Sequence, residues 1–144
     1  MNVNIHDAIM AWLMSYKPLA EWYFNISKAE DDTICIVPVD GSESRPFIDG
    51  SEECVYPFEV QIYKSFGENP IIPGVDNENT GNFFDVQQMI SWIEQQEEIG
   101  NYPDFGQGVT MLEAKVLRDI PFTAGVDEHI IKITFPVQIT YIKE

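Results

Sequence analysis

The segment Ile130-Ile131-Lys132-Ile133-Thr134-Phe135-Pro136-Val137-Gln138-Ile139-Thr140-Tyr141-Ile142 constrains the fold more than any other part of the chain. Ile131, Ile133, Phe135, Val137, Ile139 and Tyr141 recur at a period of two. Lys132, Thr134, Pro136, Gln138 and Thr140 fill the alternate positions. Side chains alternate across a strand, so this pattern predicts a long strand with one buried and one polar face. Pro136 adds a condition. It has no N–H to give to a ladder, so the strand should meet an edge or a bulge there.

Residues 54–64 (CVYPFEVQIYK) repeat the theme. Phe58, Val60 and Ile62 alternate with Glu59, Gln61 and Tyr63. The step Tyr56-Pro57-Phe58 matches Phe135-Pro136-Val137, so two strands face the same proline problem. The match is too short to define a sequence repeat. Residues 33–39 (TICIVPV) form a third strand, rich in β-branched side chains, with Pro38 near its end. Asp40-Gly41-Ser42 is a turn, and 44–49 is a short strand candidate. Residues 109–118 are a further strand, and 119–128 a connector.

Two segments carry helical periodicity. In 4–17, Ile5, Ile9, Trp12, Leu13 and Tyr16 form one apolar stripe; Asn4 can cap it and Pro18 stops it. In 82–99, Phe83, Val86, Met89, Ile90 and Ile93 form the stripe, Asn82 can cap, and Gly100 with Pro103 ends the helix. Between them, 65–81 (SFGENPIIPGVDNENTG) has no periodicity and reads as a long loop. Strands grouped between helices point to a single α+β domain over 1–144. Its expected architecture is a mainly antiparallel sheet of four to five strands, with two principal helices on one face. The other face can then stay open and join a larger assembly.

Asn101-Tyr102-Pro103-Asp104-Phe105-Gly106 contains Asp-Phe-Gly, which in protein kinases places an aspartate on magnesium. The chain has no glycine-rich loop, strand lysine or His-Arg-Asp loop to accompany it, and 144 residues are too few for that fold. The segment therefore reads as the connector leaving a helix, with Asp104 a turn residue and Phe105 plugging back onto the core. Asp76-Asn77-Glu78-Asn79-Thr80-Gly81 imitates the start of a calcium loop, but Gln87 stands where a bidentate glutamate is needed. No nucleophile elbow, phosphate loop, His-Glu-x-x-His or Cys-x-x-Cys pair is present. The two histidines, His6 and His129, and the two cysteines, Cys35 and Cys54, have no metal-site spacing. The expectation is no catalytic, cofactor-binding or metal-binding residues, and a protein that is not an enzyme.

Charge narrows the partners. Eight basic residues face 24 acidic ones, for a formal net charge of −16. Such a chain is poorly suited to neutralising nucleic-acid phosphates or docking on anionic lipid. No base lies between Lys64 and Lys115, whereas Glu68, Asp76, Glu78, Asp85, Glu94, Glu97, Glu98, Asp104 and Glu113 do. That stretch is a solvated acidic face, or a surface that must not adhere to a polyanion. No apolar run is long enough to span a membrane, the N-terminus lacks the features of a secretory signal, and two cysteines suit a reduced compartment.

Ile5-His6-Asp7-Ala8-Ile9 with Trp12-Leu13, the step Phe47-Ile48-Asp49-Gly50-Ser51, Trp92-Ile93-Glu94-Gln95-Gln96 running into Asn101-Tyr102-Pro103-Asp104-Phe105-Gly106, and Ala124-Gly125-Val126-Asp127-Glu128 cover most of the chain in order. In these steps the chain resembles a family of small proteins from tailed phages and prophages of Gram-positive bacteria: minor capsid or tail completion and tail terminator proteins. The resemblance implies a structural virion protein, assembled in the bacterial cytoplasm. Such subunits form a ring, commonly a hexamer, that caps the tail tube and joins the head connector. It implies three partners: further copies of the chain, the tail tube protein and the connector. DNA would pass through without specific binding. Two alternatives remain open: a head–tail connector subunit, or an acidic adaptor or inhibitor that mimics DNA.

Overall fold

A computed structural model describes residues 3–118 and 120–144. The elements in chain order are α1 (Ile5–Met14), β1 (Glu21–Phe24), β2 (Thr33–Pro38), β3 (Glu43–Pro46), β4 (Glu52–Ser65), α2 (Glu78–Ile99), β5 (Val109–Val116), β6 (Phe122–Gly125) and β7 (Ile130–Lys143). The strands form one seven-stranded sheet in the order β1-β2-β4-β7-β5, with β3 also beside β4 and β6 beside β7. All pairings are antiparallel except β1 with β2. The class is α+β, and both helices pack on one face of the sheet.

The alternation at 130–142 and 54–64 gives the two central strands. β4 and β7 pair along fourteen residues each, from Glu52↔Lys143 to Ser65↔Ile130, without a register shift. Phe58, Val60 and Ile62 of β4 sit beside Val137, Phe135 and Ile133 of β7. All six are buried against Ile9, Trp12 and Leu13 of α1 and Val86, Met89, Ile90 and Ile93 of α2. Burying each such side chain contributes about 1.5–3 kcal/mol, so this layer is the main source of stability.

The prolines are accommodated by a device other than a bulge. The Pro57 carbonyl accepts from Val39 N–H at 3.2 Å, and the Pro136 carbonyl from Leu117 N–H at 2.9 Å. In an antiparallel strand a residue's N and C=O point the same way, so each proline nitrogen faces its strand's outer side. There the outer neighbour changes. β3 covers Glu52–Val55 of β4 and β2 covers Phe58–Tyr63, which leaves Pro57 between them. β6 covers Ile131–Thr134 of β7 and β5 covers Val137–Lys143, which leaves Pro136 between them. Each proline occupies a one- to two-residue local edge inside a central strand. The sheet's register shift lies instead in β5, between Met111 and Glu113. Apart from β1, which only the first half has, the chain repeats one arrangement twice: helix, short strand, shorter strand, long strand, proline at the gap.

Three expectations are corrected. The second helix starts at Glu78 rather than residue 82, because Asn77 is its cap and accepts from Asn79 and Thr80 N–H. Asn82 lies within the helix and donates to the Ser65 carbonyl. Residues 119–128 are more than a connector, since Phe122–Gly125 forms β6. β1, outside all of the expected strands, adds a parallel edge. The expected five strands are present, and β1 and β6 bring the sheet to seven. The first helix and its Asn4 cap are as expected, with Ile9, Trp12 and Leu13 buried; it ends at Met14 rather than residue 17, so Tyr16 packs against the core from beyond it.

Candidate functional site

The acidic stretch folds into a loop, a helix and a connector that treat its carboxylates differently. The loop between β4 and α2 is tied down at both ends. Phe66 N–H bonds the His129 carbonyl at 3.1 Å. Asn79 accepts from Gly67 N–H at 3.1 Å and donates to the Gly67 carbonyl at 2.7 Å. Ser65 donates to Glu78 at 2.9 Å, and Asn77 reaches the Asn69 carbonyl at 3.3 Å. Short amides and hydroxyls therefore replace the ladder that this polar segment cannot form. The middle of the loop projects Ile71, Ile72 and Val75 into solvent, and Phe84 of α2 is also exposed. Val75, Phe83 and Phe84 line an open groove of about 980 Å3 with Asp76, Asn77 and Gln87. Asp76, in this groove, and Glu68, earlier in the loop, are exposed.

On α2, Glu94 and Glu98 face solvent. Glu97 does not belong with them. Its carboxylate accepts from Ala114 N–H at 2.7 Å and covers a donor on the outer edge of β5. An edge strand with free donors invites pairing with other chains, and this contact closes one of them. Burial, and then the Glu97 carboxylate beside it, push the Tyr102 hydroxyl up to about 12.

The connector is held as a turn. Asp104 accepts from Gly106 N–H at 2.9 Å. Trp12 donates to the Asn101 carbonyl at 2.9 Å. Phe105 is buried, edge-on to Tyr141 at 4.9 Å. Gly106 has φ 91°, and a Cβ there would lie 2.5 Å from the Val3 side chain, so glycine is required.

The remaining chemistry-bearing groups are dispersed. His6 shares a hydrogen bond with the Tyr56 hydroxyl at 2.6 Å, between α1 and β4. Burial, then the nearby Tyr141, push that hydroxyl up to about 12. His129 lies in the β6–β7 turn. Cys35 is buried in β2 on the face away from the helices, and Cys54 is buried on the helix face of β4. Burial pushes the Cys35 thiol up. A cleft of about 380 Å3 contains Lys17, Lys64, Asp32 and Asp85. Lys64 bonds Asp32 at 2.6 Å and Lys17 approaches the same oxygen at 3.9 Å. The Lys64 hydrogen bond holds the Asp32 carboxyl below its usual range. Two cations and two carboxylates leave that cleft with no net charge. Among the described residues, no group of three or more His, Cys, Asp or Glu is placed to hold a metal, and no helix is long and apolar enough to cross a membrane.

The sheet face away from the helices is the other large surface. The 25–32 connection covers one end of it, where Ser27 donates to Gln61 at 2.8 Å and Cys35 accepts from Lys28 N–H at 3.3 Å. Beyond that cover, Val39, Leu117 and Phe122 are exposed beside the half-buried Pro57 and Pro136. Lys115 and Lys132 lie on the same face, opposite Gln138 and Ala124 respectively. Sequence reading anticipated an open face but not its apolar residues, because Leu117 and Phe122 fall where it placed a strand end and a connector. No protein-family model matches the chain, and no curated protein is found to be similar to it.

Proposed function

We propose that the chain is a structural subunit of a tailed phage or prophage, a tail terminator or completion protein working as a ring at the head-proximal end of the tail tube. The observation that carries the reading is the one-sided sheet. Helices cover one face, while the other keeps exposed apolar residues, and the loop and helix of the acidic stretch lie on a separate surface. Exposed apolar residues on an otherwise uncovered sheet face suit a place where another protein sits. The resemblance at Ile5–Ile9, Phe47–Ser51, Trp92–Gln96, Asn101–Gly106 and Ala124–Glu128 is what points to this assembly. In such a ring, Glu94 and Glu98 would suit a wall past which DNA slides without adhering.

The test is electron microscopy of particles from a phage or prophage with a stop codon in this gene. Overlong or irregular tails, separate from DNA-filled heads, are expected. Tailless heads that leak DNA would instead place the subunit in the connector. Normal infectious particles would remove the virion reading and favour an acidic adaptor that occupies a basic partner.

A further inference from the structure

We propose that the cleft between the end of α1, the middle of α2 and the neighbouring ends of β2 and β4 binds a small zwitterion, a free α-amino acid with an aliphatic side chain.

The cleft has a volume of about 380 Å3, within the range of small-molecule sites, roughly 300–1,000 Å3. Its floor is apolar. Ile34, Ile62, Val86 and Met89 line it, and each is at most 5% exposed. Its charged groups are sorted by element. Lys17 follows α1, Asp32 precedes β2 and Lys64 lies near the end of β4, and the two lysines converge on one oxygen of Asp32 at 3.9 and 2.6 Å. These three groups together carry one net positive charge. The Lys64 side chain is only 12% exposed and gives one of its three ammonium protons to Asp32. Its other two have no acceptor among the described residues, and the approach of Lys17 at 3.9 Å is too long for a hydrogen bond. Asp85 stands outside this cluster, on α2. It is exposed and takes part in none of the four ion pairs that join described residues. Burial, and then the nearby Asp85, push the Tyr16 hydroxyl up, so it stays protonated as a donor in the same cleft.

The cleft is therefore neutral as a whole and polar along its length. A lone anion drawn to the lysines would also meet Asp32 and Asp85. A lone cation drawn to Asp85 would meet two ammonium groups. A zwitterion satisfies both poles and keeps the cleft neutral. Its carboxylate accepts from the unused donors of Lys64 and Lys17, and its ammonium donates to Asp85. An aliphatic side chain covers the apolar floor.

The test titrates L-leucine into the 15N-labelled full chain and follows the backbone amide shifts. Saturable shifts are expected at Tyr16, Lys64, Asp85 and Met89. 4-Methylpentanoate lacks the ammonium and isopentylamine lacks the carboxylate, so each should bind at least about tenfold more weakly than leucine. Asp85→Asn and Lys17→Gln alter exposed positions, and the same spectra show whether each variant keeps the parent fold. Each should weaken leucine binding about tenfold. Asp85→Asn should not weaken 4-methylpentanoate, and Lys17→Gln should not weaken isopentylamine. Equal binding of all three compounds would reduce the cleft to an apolar patch and overturn the proposal. Shifts that do not saturate before leucine reaches its solubility limit would overturn it too.

Discussion

Glu97 shows how one side chain can belong to a different part of the molecule from its sequence neighbours. In the run Glu94-Gln95-Gln96-Glu97-Glu98 it reads as one more solvated acid. In the fold it accepts from a backbone donor of Ala114, a residue that is 2% exposed. Replacing it by alanine strands that N–H, which costs about 1.5–3 kcal/mol for a hydrogen bond to a charged group. Urea denaturation should show that loss for Glu97→Ala, whereas Glu94→Gln and Glu98→Gln should stay within about 0.5 kcal/mol of the parent. If all three behaved alike, the edge contact would have no energetic weight. Pro57 and Pro136 carry the same lesson. The sequence states that each lacks a donor, but only its neighbours explain why none is needed.

At the scale of elements, the start of α2 separates the two asparagines that could cap it. Asn77 accepts from two backbone N–H groups of the first turn, and Asn82 bonds the Ser65 carbonyl at the end of β4 from inside the helix. Asn77→Ala should cost about 1 kcal/mol, within the usual range of 0.5–2 for an N-cap. Thermal unfolding followed by far-UV circular dichroism would measure it. No loss in Asn77→Ala would mean that the extra helical turn is not formed in solution. The turn was hard to read because Glu78-Asn79-Thr80-Gly81 offers no apolar stripe and carries a helix-weakening glycine. The side chains of Glu78 and Asn79 hold it by bonding Ser65 and Gly67 across the loop. β6 escaped for a related reason: all of Phe122, Thr123 and Gly125 are exposed, so no buried face marks the strand.

For the whole molecule, the net charge of −16 acts against compactness as well as association. Raising sodium chloride from 0.01 M to 0.15 M shortens the screening length from about 30 Å to about 8 Å. The melting temperature should rise by a few degrees, since about 1 kcal/mol corresponds to roughly 2–4 °C at this chain length. Calorimetry at several salt concentrations would follow it. A flat response would show that the acids are already balanced locally.

Local pattern in the chain was enough for the two helices, the long strands at 54–64 and 130–142, and the α+β class. Periodicity records which residues leave water, and these elements each bury one face. Asn4, Gly100 and the turn at Asp104 were legible for a similar reason, because caps and turns are satisfied within a few residues. Features that depend on distant partners emerged only in the folded sheet. It set the change of neighbour at each proline, the strands β1 and β6, the engagement of Glu97 with β5, and the residues that share the uncovered face. Hydrogen bonds between segments far apart in the chain leave no local period, so only the folded sheet reveals them.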